Sequence, residues 1–434
     1  MNASVRYQPS LAGACESSEA MTGADRLVLT LTVLGMIASA VMVTIVVRAV
    51  QDAGEVGEAD IYKPAVFYIV HAIQLTLLLA AGVAALLNTD FAEIERGFLP
   101  RLALFFGAAL LMTARGYTVS DLLSTRLADN TGPIPCFMSV LVFVGARRKY
   151  WRILDKIFAW LAIYFSAISV FGLARMRMFN RDSGLSNLAT GLNALFFPAA
   201  WIALRDYPRD SYMRRLRFLP IAAYTFFSLF TQTRLNIIMV FCLLGVYAYI
   251  QYRRRMPQAG LWLIAGGLAL WLTLFVAAFL RDTAGFRTLE SVADAFSARI
   301  DEDTRSSQLI RFSQTVKPQE LVLGRGSFAT WDWGKTVNYK GGTDVGYLTL
   351  LLYGGLPLLL TYVAVHLKPC FTALAANPSP LQLTAAGVVL LWTIRMFSSS
   401  YMGLTLDYYP ILFCVGACIS REPFPVWRGG RAGA

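Results

Sequence analysis

Residues 341–360 read GGTDVGYLTLLLYGGLPLLL. Two glycines and a threonine lead into Asp344, and from Val345 onward no charged residue appears until Lys368. An apolar run of this length crosses about 30 Å of hydrocarbon as an α-helix, which satisfies its backbone N–H and C=O groups internally where no water can do so. The pattern predicts a membrane span over 344–366. Asp344, in its first turn, reads either as an N-cap for the free N–H groups or as a general base held at the mouth of the span.

Immediately upstream the sequence changes character. Residues 305–328, RSSQLIRFSQTVKPQELVLGRGSF, read as soluble protein: an amphipathic helix, a proline break, a short apolar run and a tight Gly-Arg-Gly turn. Nearly everything else is apolar. Of 434 residues, 56% are hydrophobic, 13% aromatic and only 15% charged, whereas soluble domains carry about a quarter charged residues. The chain therefore belongs to the membrane class. Its net charge of +12 does not call for a nucleic acid, because basic residues of membrane proteins collect in cytoplasmic loops. The six cysteines, Cys15, Cys136, Cys242, Cys370, Cys414 and Cys418, lack paired spacing and read as small hydrophobes. The polar first two dozen residues and the long run after them predict no cleaved signal.

Apolar runs predict about twelve transmembrane helices, near 27–50, 64–87, 99–115, 132–146, 154–174, 186–204, 217–231, 235–251, 259–280, 344–366, 381–401 and 404–420. Continuous rather than alternating hydrophobicity selects an all-α polytopic fold over a barrel. The loops GARRKYWR, RDYPRDSYMRRLR and QYRRRMPQ fall on one side of this count and are basic, which makes that side cytoplasmic. The acidic QDAGEVGEADIYK falls outside, and the basic tail WRGGRAGA inside. The expected layout is a cytoplasmic tail over 1–26, nine spans over 27–280, one large outer loop over 281–343, three spans over 344–420 and a cytoplasmic tail over 421–434. In a bacterium with two membranes, that loop lies in the periplasm and the chain in the inner membrane.

A second set of arginines breaks the orientation rule. RMRMFNRDSG places Arg175, Arg177 and Arg181 outside, TQTRLNII places Arg234 at an outer span junction, and LLWTIRMFSSS puts Arg395 inside span eleven near its outer end. The large loop adds Arg281, Arg287, Arg299, Arg305, Arg311 and Arg325. A single loop arginine reads as a snorkelling or ion-paired surface residue. An arginine in hydrocarbon costs about 2.5–3.5 kcal/mol or more, and guanidinium groups grip phosphate through two parallel bonds. As a set, these residues read as an anion site sized for a diphosphate.

Other motifs carry less. Asp301-Glu302-Asp303 has the D-x-D form of metal-dependent transferases, but nucleotide sugars are cytoplasmic and the loop is outside, so it reads as an acidic helix surface. Gly324-Arg325-Gly326 lacks the G-x-x-x-x-G-K-[ST] pattern and reads as a turn presenting Arg325 to the site. Trp331 and Trp333, flanking Asp332, either stack on a sugar or anchor at the interface. Of the two histidines, His71 reads as buried and hydrogen-bonded inside span two, and His366 falls at the cytoplasmic end of span ten. No histidine, cysteine or H-E-x-x-H spacing suggests a metal site.

On three stretches the chain resembles the O-antigen ligase and Wzy-type polysaccharide polymerase superfamily. TQTRLNII looks like its polar-Ser/Thr-Arg junction, RSSQLIRFSQTVKPQELVLGRGSF like its loop helix and Leu-Gly-x-Gly turn, and GGTDVGYLTLLLYGGLPLLL like its post-loop span. The resemblance implies a GT-C-like membrane glycosyltransferase that needs no metal or other cofactor and acts on undecaprenyl-diphosphate-linked oligosaccharide. Its partners would be the lipid bilayer and the chain-length regulator and flippase of the same pathway. Read from the residues, the candidate catalytic groups are Asp344, Arg234, Arg305 and Arg311, and the candidate diphosphate- or substrate-binding groups are Arg175, Arg177, Arg181, Arg325, Arg395, Trp331 and Trp333. Ligases of the family carry a histidine where this chain has Thr343-Asp344, which favours polymerisation over transfer to lipid A core. A lipid-linked sugar transporter and a structural membrane subunit are the remaining readings. No internal repeat supports the first, and the second leaves the outer arginines without a role.

Overall fold

The computed structural model describes residues 21–52, 65–116, 134–178, 194–207, 212–231, 234–253, 311–327, 329–332, 339–341, 345–375, 378–397 and 408–421. It is mostly helical, as a membrane protein of the all-α class should be. The helices are α1 (Gly23–Asp52), α2 (Ala65–Leu87), α3 (Phe98–Gly116), α4 (Ile134–Ala146), α5 (Trp151–Met178), α6 (Ala194–Leu204), α7 (Tyr212–Leu216), α8 (Leu219–Thr231), α9 (Arg234–Arg253), α10 (Pro318–Leu323), α11 (Gly346–Ala375), α12 (Pro380–Arg395) and α13 (Tyr408–Ile419). Among the described residues, five stretches are long and apolar enough to cross a bilayer: Gly23–Ile45, Val66–Leu87, Phe98–Gly116, Arg148–Val170 and Gly346–Ala375. Five shorter apolar helices pack among them: Ile134–Ala146, Ala194–Leu204, Asn236–Tyr252, Pro380–Arg395 and Tyr408–Ile419. The expected span 259–280 lies outside the described residues.

The largest shifts of expected boundaries among the described residues come at spans ten and eleven. Span ten, expected to end near residue 366, continues as α11 to Ala375, so His366 sits within the helix rather than at its end. Span eleven stops at Arg395 rather than 401. Arg395 therefore occupies the last turn of α12, where the exposed carbonyls of a helix favour a cation.

With no water to compete for apolar surface inside a bilayer, helices associate through close packing, and small residues let backbones approach. Gly145 of α4 and Gly416 of α13 do this: a Cβ on Gly145 would stand 2.0 Å from the Phe413 carbonyl oxygen, and one on Gly416 would stand 2.1 Å from that of Val142. Aromatic rings fill the centre, with Trp151 stacked on Trp201 at 4.8 Å and Phe158 at 5.0 Å from the same indole. Several polar groups inside the bundle are paired. His71 Nδ1 lies 3.1 Å from the Gln74 side-chain oxygen, and the Gln74 amide donates to the Tyr409 hydroxyl at 3.0 Å. His366 Nδ1 lies 3.0 Å from the Tyr362 carbonyl, which assigns the ring proton to Nδ1. Its Nε2 then accepts from the Tyr408 hydroxyl at 2.9 Å.

Polar contacts sort the helix ends into two sets. At one end, Asp25 at the start of α1 accepts from Lys149 and Tyr150, each at 2.7 Å, just before α5. Arg147, after α4, pairs with Glu93 ahead of α3 at 3.2 Å. Glu95 N–H donates to Ile419 O at 2.9 Å, which brings the end of α13 alongside. Arg205, after α6, pairs with Asp155 at 3.1 Å. The basic residues of 147–152 and Arg205 therefore share this end. The opposite end gathers the terminus of α3, the start of α11, the terminus of α12 and the segment over 311–327.

Candidate functional site

The site is built on a break in α11. At Gly355 the backbone takes φ 68°, ψ −164°, and Pro357 follows two residues later. Pro357 has no N–H to offer the Tyr353 carbonyl, and the flip at Gly355 removes the regular partner of Leu352. An unsatisfied carbonyl in such apolar surroundings costs several kcal/mol, so both need donors from elsewhere. The Gly-Arg-Gly turn supplies them. Arg325 N–H donates to Leu352 O at 2.7 Å and Gly326 N–H donates to Tyr353 O at 2.9 Å. Gly324 (φ 73°) and Gly326 (φ 97°) adopt the positive φ that aims both donors at the break.

The same turn is held by α3. Ser327 N–H donates to Met112 O at 3.1 Å, and Arg115 Nη1 donates to Leu323 O at 2.6 Å, capping α10. The loop segment thus plugs the angle between α3 and the broken α11. Its own core is the apolar face expected of an amphipathic helix: Phe312 and Val316, four residues apart, are buried, and Trp331 packs edge-on against Phe312 at 5.4 Å. Trp331 belongs to a short antiparallel ribbon, β1 (Thr330–Asp332) paired with β2 (Tyr339–Gly341), in which it faces Lys340. Only 1% of its surface is exposed, so its ring serves the loop's interior and has no open face for a sugar.

The start of α11 rests on the end of α12. Gly346 N–H donates to Met396 O at 2.8 Å, and the Tyr347 hydroxyl donates to Thr393 O at 3.1 Å. One residue from Met396, Arg395 is buried with its guanidinium 5.4 Å from the centre of the Phe197 ring, a cation–π contact that links α12 to α6. Elements far apart in sequence are therefore linked at this end: the loop turn to α3 and to the break in α11, the start of α11 to the end of α12, and α12 to α6.

The expected site residues divide. Arg395 and the loop residues Arg311 and Arg325 lie at this end. Arg311 is exposed at the start of a helical turn over 311–315. Arg325 is committed to architecture: Nη2 pairs with Glu320 at 2.7 Å and lies 3.3 Å from Thr315 O, while Nη1 donates to Thr330 O at 2.9 Å. Glu320 also accepts from Lys317 N–H at 2.8 Å. The Arg325 guanidinium, and after it that backbone N–H, hold the Glu320 carboxyl below its ordinary value. Arg325 is thus a tether rather than a free hand toward ligand. Arg234 opens α9, and Arg175 and Arg177 fall in the last turn of α5, all three by backbone position. Asp344, Arg305, Arg181 and Trp333, with Asp301-Glu302-Asp303, lie outside the described residues.

Sequence reasoning passed over Arg115, an exposed cation in the last turn of α3 whose second guanidinium arm is available beside the turn. The signal was there, since a basic residue at a helix end that the expected layout places outside breaks the orientation rule as the others do. It also passed over Ser327, a buried hydroxyl with no hydrogen-bond partner among the described residues. No group of three or more histidine, cysteine, aspartate or glutamate side chains among the described residues could hold a metal ion. No family model matches the chain, and no curated protein matches it.

Proposed function

We propose that the chain is a polymerase of undecaprenyl-diphosphate-linked oligosaccharide repeat units for exopolysaccharide, capsule or O-antigen, a GT-C-like glycosyltransferase of about twelve spans in a bacterial inner membrane. The observation that carries this reading is the set of cations at one end of the bundle: Arg115 bonded to the loop turn, Arg311 at the start of the loop's helical turn and the buried Arg395 in the last turn of α12. That end faces the periplasm in this reading, because the basic residues of 147–152 and Arg205 mark the other as cytoplasmic. Both termini are then cytoplasmic.

The reaction follows from the chemistry of the donor. A hydroxyl oxygen of one lipid-linked repeat unit attacks the anomeric carbon of the growing chain. The bond from that carbon to the diphosphate oxygen breaks, and its electron pair leaves with undecaprenyl diphosphate. Arg395, Arg311, Arg234 and Arg305 stabilise the charge gathering on the leaving group, a role that positioned donors fill without reorganising at the moment of reaction. The acceptor proton passes to Asp344 or to a phosphate oxygen. Arg325 and Trp331 act one step back, holding the loop that carries Arg305 and Arg311.

A transporter reading gains one observation, since broken helices often line transport sites. Here the carbonyls freed by the break accept from the chain's own turn, which gives the break a scaffold role instead of an ion-binding one. Purified full-length protein incubated with undecaprenyl-diphosphate-linked repeat units tests the reading. Ladders of polymer support it. A single transfer to lipid A core, or translocation in vesicles without bond formation, overturns it in favour of a ligase or a transporter.

A further inference from the structure

The basic end of the bundle has a feature that glycosyl transfer does not use. Between α6, α8 and α9 lies a groove of about 440 Å³ whose walls include Ala203, Ile221, Ala222, Thr225, Leu243 and Leu244. This falls within the range of small-ligand sites, roughly 300–1,000 Å³. Thr225, the one hydroxyl among those six, donates back to Ile221 O at 2.8 Å and so offers nothing to a ligand. The walls suit a hydrocarbon chain and give no hold to a sugar.

The groove has one polar end. Two further lining residues, Phe218 and Tyr247, pack edge-on at 5.4 Å, and the Arg217 guanidinium lies against both rings, 4.6 Å and 5.3 Å from the respective centres. Arg217 also donates to the Tyr247 hydroxyl. Among the described residues no carboxylate pairs with it. Arg214 and Arg215 precede it in α7. The exposed rings of Tyr212, Phe218 and Tyr252 gather at this level, as aromatic residues do where hydrocarbon meets headgroups. An apolar slot closed at one end by an arginine, with two more alongside, matches a single molecular design: an aliphatic chain ending in a phosphate.

We infer that this groove binds an anionic phospholipid, with one acyl chain between α6, α8 and α9 and its phosphodiester on Arg217. Guanidinium binds phosphate through paired N–H donors, and the aromatic rings keep the Arg217 fork in place, so little ordering remains to be done on binding. Arg214 and Arg215 favour an anionic over a zwitterionic headgroup. The site is independent of the proposed polymerase chemistry, from which it is separated by the length of the bundle.

The test uses delipidated full-length protein in detergent, titrated with phosphatidylglycerol or with phosphatidylcholine of the same chains and read by native mass spectrometry. Phosphatidylglycerol should bind at least about fivefold more tightly than phosphatidylcholine, Arg217→Ala should weaken both lipids, and Arg214→Ala combined with Arg215→Ala should erase most of the difference between them. Ala222→Trp, which fills the groove from an exposed position, should weaken both lipids. Arg217→Ala alters a partly exposed side chain and keeps the test decisive should Ala222→Trp not elute as a single folded species. Equal binding of the two lipids by the wild type, or unchanged phosphatidylglycerol binding in Arg217→Ala, overturns the inference.

Discussion

Gly355→Ala should undock the loop turn while leaving the helical bundle in place. A methyl group on Gly355 would stand 2.5 Å from the Gly324 nitrogen and 2.5 Å from the Val322 oxygen. Both are backbone atoms, so no side chain can swing aside. The φ 68°, ψ −164° conformation is nearly exclusive to glycine and costs another residue about 1–3 kcal/mol. Relief comes by backing the turn out, which breaks Arg325 N–H to Leu352 O and Gly326 N–H to Tyr353 O. Each carbonyl left buried without a donor costs about 1–3 kcal/mol. The two bonds resist undocking in wild type and variant alike, so the docking equilibrium shifts by the strained φ/ψ, about 1–3 kcal/mol, together with the two overlaps, and the upper φ/ψ figure alone corresponds to more than about a hundredfold. Hydrogen exchange on the protein in lipid nanodiscs measures this directly. Peptides spanning 324–327 should lose protection by about two orders of magnitude or more, while peptides from α13 exchange as in the wild type. Protection at 324–327 within about threefold of wild type would refute the claim that the turn closes the break.

Arg395→Ala should abolish polymer in the lipid-linked assay, and Arg395→Lys should rescue it poorly, because lysine keeps the charge but not the planar fork; wild-type ladders from both variants would remove Arg395 from the site. Asp344→Asn separates cap from base, since asparagine caps a helix about as well but takes no proton at neutral pH. A base predicts a rate loss of about 10²–10⁴-fold with normal expression, and an unchanged rate assigns Asp344 to capping. The Glu320–Arg325 pair should make loop docking acid-sensitive. With the Glu320 carboxyl held below its ordinary value of 4.5, the pair's contribution is complete above that pH and is lost as pH falls through the lowered value. Protease sensitivity of the loop should therefore stay flat from pH 7 to about 5 and rise below about 4, modestly, because a partly exposed pair contributes about 1 kcal/mol or less. Alkaline phosphatase fused after residue 327 should be active and after residue 212 inactive; the reverse pattern would invert the orientation and exclude a periplasmic site.

The membrane class, the helix positions and the character of the loop were legible in the residues because each depends on local pattern. A run such as Val66–Leu87 is helical in lipid whatever surrounds it, since only a helix satisfies its backbone from within. Phe312 and Val316 announced a buried face through their four-residue spacing, and Gly324 and Gly326 announced a turn. His71, isolated in an apolar run, had to find a partner. Tertiary structure alone decided what those pieces do to one another. That Arg325 binds Glu320 while Arg395 lies against Phe197 depends on which groups arrive nearby, and the two arginines look alike in sequence. Trp331 left open whether it would meet a sugar or the bilayer, and it met Phe312 instead. The pairing of the Gly-Arg-Gly turn with the break at Gly355 spans some thirty residues of chain, and Arg115 reaches the same turn across more than two hundred. Hydrogen-bond partners at that range are set by where the helices pack, and no periodicity in the chain encodes it.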